Sequence, residues 1–303
     1  MSQPHRLNRI LVPLDGSDLA ARALPFARTL STPETEIVLC RIVRDPMPLV
    51  KLAGALANTL DRIRTSRLGD AQAYLAEVAG SLERSAGRVS AESSVGSPPD
   101  EILRIARERD VDLIVMTTHG RGFLGRVLIG SVADRVARAA SCPVLLVRSK
   151  EQSQPVDTAA SIARLVVPLD GSELARQALP VATTLAQSLN VPIHLVTAIP
   201  HPEEIIPQND ELSLDFYDDY VTAVSESLRA EADGLDTPAT SEAIIGPPVD
   251  AILESVTDND VIVMTSHGHG GMRRWWIGSV AERLTHIGKT PVMLVPVGDD
   301  ARN

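Results

Sequence analysis

The chain has 303 residues, of which 44% are hydrophobic and 22% charged, with a formal net charge of −10. Only 3% are aromatic, which argues against a stacking surface for single-stranded nucleic acid, and the acidic balance disfavours general nucleic-acid binding. No apolar run approaches the roughly 20 residues that span a bilayer, and the opening MSQPHRLNRILVPLD lacks the apolar core of a signal peptide; the expectation is a cytoplasmic protein without membrane contact.

Arg9–Leu14 is a strand, Asp15-Gly16-Ser17 a turn, and Ser17 or Asp18 caps a helix to about Leu30. Ile37–Val43 is a second strand, and Arg44 to about Asp61, with Pro46 and Pro48, is a loop or short helix. About Thr65 to Glu83 is an amphipathic helix with Leu68, Ala71, Leu75, Val78 and Leu82 near helical spacing. Val89–Val95 is a short strand, and Asp100 caps a helix through Arg109, with acid early and base late as the macrodipole favours. Val111–Met116 is apolar and mostly β-branched, the composition of a strand buried on both faces. The glycine-bearing stretch Thr117 to Ser131 leads into a helix to Ala140, and Pro143–Val147 is a last strand.

The unit then repeats. Arg9–Ser17 matches Arg164–Ser172 at an offset of 155, Asp100–Leu103 matches Asp250–Leu253 at 150, and Ile129–Ala133 matches Ile277–Ala281 at 148. These copies are of domain size, so two tandem domains are expected, residues 1–150 and 162–303, joined by a polar, proline-containing linker over 151–161. Residues 1–150 hold 21 Lys+Arg against 16 Asp+Glu, whereas 151–303 hold 8 against 23. Either the halves attract, within or between chains, or each is independently solvated. Cys40 and Cys142 have no metal or disulfide spacing and read as small buried hydrophobes.

Alternating strands and helices imply an open α/β fold, a parallel sheet with helices on both faces. Right-handed crossovers put the strand C-terminal ends on one rim, where such sheets bind ligands, so Asp15 and the Thr117–Ser131 stretch are expected to meet there. Gly120-Arg-Gly-Phe-Leu-Gly125 has the GxGxxG spacing, but it follows the fourth strand and the second copy lacks the third glycine; there is no P-loop. Ser131 with Asp134, and Ser279 with Glu282, have capping-box-like spacing. Asp15 and Asp170 are either turn aspartates or carboxylates for ribose hydroxyls or a metal. His119 and His267 have no partners at metal-ligand spacing, and neither copy has a nucleophile with a base and an orienting group.

Together VPLDGS, GSPPDEIL, VDLIVMTTHGRG and LIGSVADRVARAASCPVLLV, with VPLDGS, GPPVDAIL, VIVMTSHGHGG and WIGSVAERLTHIGKTPVMLV in the second copy, resemble the universal stress protein family in its tandem two-domain form. The resemblance implies an adenine nucleotide α-hydrolase-like, Rossmann-like fold with five parallel strands per domain. It also implies final strands that pair across an internal pseudo-dimer. The signature of the ATP-binding branch, Gly-x2-Gly-x9-Gly-Ser/Thr, reads Thr117-x2-Gly120-x9-Gly130-Ser131 and Thr265-x2-Gly268-x9-Gly278-Ser279, with threonine for the first glycine in both copies. Carried over position by position, Asp15 and Asp170 contact the ribose, with Pro13 and Pro168 beside them. Ile42 and Ala198 offer backbone groups to the adenine. Gly120, Gly122, Gly130, Ser131 and Val132 hold the phosphates in the first copy, as do Gly268, Gly278, Ser279 and Val280 in the second. Arg121 adds charge near the phosphates, where the second copy has His269; Trp275 and Trp276 narrow the second site. The implied ligand is ATP, with or without Mg2+. The implied role is a nucleotide-dependent regulatory or protective stress-response module with little or no hydrolysis, with a homodimer or an unidentified protein as further partner. The alternatives are a slow ATPase or adenylate-forming enzyme of a related fold, and a nucleotide-independent interaction scaffold.

Overall fold

A computed structural model describes residues 7–45, 55–83, 87–118, 129–148, 159–205, 213–266 and 278–297. The chain divides into two compact units, Arg6–Ala160 and Ser161–Asn303.

The first unit is a parallel sheet of β1 (Arg9–Pro13), β2 (Glu36–Val43), β3 (Arg88–Val95), β4 (Leu113–Thr117) and β5 (Val144–Val147), in the order β3-β2-β1-β4-β5. Every residue of β4 and β5 is buried, and so are Ile10, Leu11 and Val12 of β1; helices on both faces of a parallel sheet demand such unbroken apolar runs. At the edge, no residue of β3 is fully buried.

Its helices are α1 (Asp18–Ala21), α2 (Leu24–Leu30), α3 (Ala55–Glu83), α4 (Pro98–Glu108) and α5 (Ser131–Ala139). The single helix expected between Ser17 and Leu30 is two, because Pro25 sits in the first turn of α2 and has no N–H to continue α1. The α3 helix begins already at Ala55, through residues expected to form a loop or short helix, and buries Ala71, Leu75 and Leu82 against the sheet. Ser97, not Asp100, is the N-cap residue of α4; Asp100 and Glu101 lie in its first turn.

The second unit repeats the plan with β6 (Arg164–Pro168), β7 (Ile193–Ile199), β8 (Ala239–Ile245), β9 (Asp260–Thr265) and β10 (Val292–Val295), all parallel, in the order β8-β7-β6-β9-β10. Its helices are α6 (Glu173–Arg176), α7 (Ala178–Leu189), α8 (Pro202–Ile205), α9 (Ser213–Asp233), α10 (Pro248–Ser255) and α11 (Ser279–Ile287). The registers equate the units residue by residue. Pro13 pairs with Cys40 as Pro168 pairs with Val196, so Arg41, Ile42 and Arg44 correspond to Thr197, Ala198 and Pro200.

In each unit the strand order reverses between the first and fourth strands. That switch point leaves a crevice outside the strand C-terminal ends, the usual ligand position in open α/β sheets. At the other end of the second sheet, Asp260, 2% exposed, accepts from Arg164 Nη2 at 2.9 Å and from the Thr257 backbone N–H at 2.7 Å. Beside it His194, 6% exposed, stands 2.8 Å from Thr240 Oγ1 and 3.4 Å from Glu242 Oε2. Burial, then the Arg164 charge, holds the His194 pKa below its ordinary value. Among the described residues no helix is long and apolar enough to cross a membrane.

Candidate functional site

The local sequence explains the turn after β1. Gly16 has φ +83°, a conformation that glycine adopts without a Cβ clash. It lets Asp15 reach forward: Asp15 Oδ1 accepts the Ser17 backbone N–H at 2.9 Å and the Ser17 hydroxyl at 2.5 Å, while Ser17 Oγ accepts the Ala20 N–H at 3.2 Å. The turn is duplicated after β6, with Gly171 at φ +80° and Ser172 donating to Asp170 Oδ1 at 3.0 Å from its backbone and 2.5 Å from its hydroxyl. The turn role of both aspartates is therefore built into the fold, and Asp15 in addition faces the crevice.

On the other side of the switch point, α5 starts with glycine as its N-cap. Gly130 supplies no side-chain cap, and its N–H donates to the Thr118 carbonyl at 2.6 Å. The first intrahelical bond runs from Asp134 N–H to Gly130 O at 3.0 Å, so the amides of Ser131, Val132 and Ala133 have no intrahelical acceptor. The capping-box reading of Ser131 and Asp134 is corrected here: Ser131 is already inside the helix, and Asp134 Oδ1 accepts from Arg138 instead, at 2.8 Å. The same holds for α11, where Gly278 is the N-cap residue and its N–H donates to Ser266 O at 2.7 Å.

These features border one cleft of about 720 Å³ in the first unit, within the range of roughly 300–1,000 Å³ typical of small-molecule sites. Of the residues singled out from sequence, Pro13, Asp15, Ile42, Thr117, Gly130, Ser131 and Val132 line it. Val43, Ile102 and Met116 add apolar surface. Gly120, Arg121 and Gly122 lie outside the described residues. Sequence reading missed Arg41, Arg44, Arg67 and Asp70, which line the β2–α3 side; an arginine inside a strand and another on a long helix carry no local signal that they share a wall. Arg41 stacks over the Tyr74 ring of α3 at 4.9 Å. Cys40 also lines the cleft, but burial pushes its thiol well above the ordinary range, which suppresses the thiolate. Burial likewise pushes Cys142 up to about 12.

In the second unit, Pro168 ends β6, Asp170 follows it, Ala198 lies near the end of β7, and Thr265 ends β9. Gly278, Ser279 and Val280 open α11. Asp170 is exposed where Asp15 is half-buried. Gly268, His269, Trp275 and Trp276 lie outside the described residues.

Known proteins share this fold. The model of the universal stress protein family matches the chain twice, over residues 6–148 and 162–296. A universal stress protein of Mycobacterium tuberculosis is 25% identical over 311 residues, covering 97% of this chain and 99% of its own length. A universal stress protein of Methanocaldococcus jannaschii is 33% identical over 144 residues, 48% of this chain and 84% of its own. The crystal structure of a universal stress protein from Archaeoglobus fulgidus shares the fold, with a TM-score of 0.64 at 20% identity over 97% of each chain. Two family matches in one chain, with full-length relatives, make this a tandem member: the chain belongs to the universal stress protein family.

Proposed function

We propose that the chain is a stress-response protein whose first unit binds ATP and acts as a nucleotide-dependent regulatory module with little or no hydrolysis. The observation that carries this reading is the meeting of Asp15, Ile42, Gly130 and Ser131 around one cleft at the switch point. Each feature suits one part of a nucleotide. The uncapped first turn of α5 aims amide N–H groups and the positive end of the helix dipole at phosphate. Glycine at its N-cap brings no side chain of its own to that approach. Ile42, Val43, Ile102 and Met116 give a base an apolar surface, and Asp15 lines the same cleft just past the end of the central strand β1, where a carboxylate accepts from ribose hydroxyls.

Slow chemistry fits the same residues. Among the described lining residues Asp15 and Asp70 are the carboxylates, Asp15 Oδ1 is engaged by Ser17, and the Cys40 thiol is suppressed by burial. Among the described residues no His, Cys, Asp and Glu side chains gather into a metal site, so magnesium would enter on the ATP phosphates.

The test is quantitative mass spectrometry of small molecules released by denaturing the purified chain, together with ATP–magnesium titration of chain stripped of bound nucleotide. Bound or rebinding adenine nucleotide supports the reading. A stripped, folded chain that takes up none overturns it.

A further inference from the structure

Resting on the nucleotide reading of this same cleft, we infer that the first unit is built for a nucleotide with two separated anionic groups, a nucleoside bisphosphate. Its 5′-phosphate meets the start of α5, and its second phosphate meets Arg41, Arg44 and Arg67.

The start of α5 accounts for one end of the cleft only. The opposite wall, formed by the end of β2 and by α3, carries three arginines against one carboxylate, Asp70. Among the described residues none of the three arginines has an acidic side chain within ion-pair distance. Their neighbour Arg64 is different: it is held by Asp45 at 2.8 Å and Asp61 at 3.3 Å. Arg41 is fixed by stacking on Tyr74, which leaves the edge of its guanidinium for bidentate contact with phosphate oxygens.

Topology sets the span. The strands β2 and β4 flank β1, and neighbouring strands lie about 4.8 Å apart, so the β2 and β4 ends are separated by about 10 Å. Asp15 stands between them at the β1 end. A single phosphate cannot serve both ends. A nucleoside lying across Asp15 with phosphate on each side can.

Among the described residues the second unit has no such wall. Register places Thr197 and Pro200 where the first unit has Arg41 and Arg44. Thr197 Oγ1 is turned inward to donate to Leu169 O at 2.9 Å, and the Tyr217 hydroxyl donates to Pro200 O at 2.9 Å. The helix α9 carries Asp215, Asp218 and Asp219 in its first two turns, and its one cation, Arg229, comes near its end. Among the described residues the arginine wall is thus specific to the first unit and is not a requirement of the fold.

The experiment is calorimetric titration of the full chain, stripped of nucleotide, with AMP, adenosine 3′,5′-bisphosphate and adenosine 2′,5′-bisphosphate at fixed ionic strength. At least one bisphosphate is expected to bind tenfold or more tightly than AMP. That ratio is expected to fall to about twofold in Arg41→Gln/Arg67→Gln and to persist in Arg62→Gln, a cation of α3 that is not among the described cleft-lining residues. AMP and ATP binding with neither bisphosphate gaining more than about twofold would overturn this inference alone, as would a preference that survives the double substitution. Failure of every nucleotide, ATP included, would overturn the nucleotide reading and this inference together.

Discussion

The Thr118 carbonyl accepts the Gly130 N–H at 2.6 Å, and Ser266 and Gly278 repeat the contact at 2.7 Å. In each unit one backbone hydrogen bond ties the end of the fourth strand to the start of the next helix, so the free amides of that helix are positioned before any ligand arrives. Gly130 has φ −63° and ψ 143°, a conformation open to any residue, so what the site requires there is the missing side chain. Gly130→Val is therefore expected to weaken ATP binding tenfold or more while lowering stability by about 1 kcal/mol or less, the scale of an N-cap exchange. Calorimetry with ATP beside a thermal melt checks both.

The two roles of Asp15 can be separated. Asn at this position keeps an oxygen to accept from Ser17; Ala does not. Asp15→Ala is expected to lose about 1–2 kcal/mol through the two lost turn hydrogen bonds, and to lose nucleotide affinity. Asp15→Asn is expected to lose affinity with nearly full stability. Denaturant unfolding and ATP titration of both variants give the comparison.

His194 is expected to contribute to the pH dependence of the second unit's stability. Its folded pKa lies below the ordinary value of 6.5, so the unfolded chain binds the proton more readily, and stability falls as pH drops below 6.5. Register equates His194 with Val38, which is fully buried in the first unit. His194→Val is expected to flatten the slope of unfolding free energy between pH 6.5 and the range where carboxylates titrate. An unchanged slope would assign the dependence elsewhere.

Asp260 anchors the other end of the second sheet. Asp260→Ala leaves the Arg164 guanidinium and the Thr257 amide without their carboxylate, and breaking such a buried pair costs about 3 kcal/mol or more. Unfolding of the second unit is expected at markedly lower denaturant, with ATP binding by the first cleft retained.

Much of this was legible in the residues. The strands announce themselves as Val, Ile and Leu runs, and the placement of Asp15 and Gly130 after strands is enough to bring both to one rim. The Asp-Gly-Ser turn was equally readable, because Gly16 and Ser17 supply the positive φ and the hydroxyl that it needs. The split between α1 and α2 follows from Pro25 and was passed over. The capping-box spacing of Ser131 and Asp134 does not make a cap, because the N-cap position belongs to Gly130, and glycine there is recognised by its backbone angles and not by its side chain. The arginine wall was illegible, since Arg41 and Arg67 become neighbours in one cleft only through the rotation of α3 against β2, which tertiary packing sets.

ATP binding in the first cleft is tested by titrating ATP and magnesium into the stripped full chain and into Gly130→Val and Gly278→Val. The prediction is a tight event near one ATP per chain that Gly130→Val abolishes and Gly278→Val leaves in place. A tight event undiminished by Gly130→Val, or no binding to the folded wild-type chain, would contradict it.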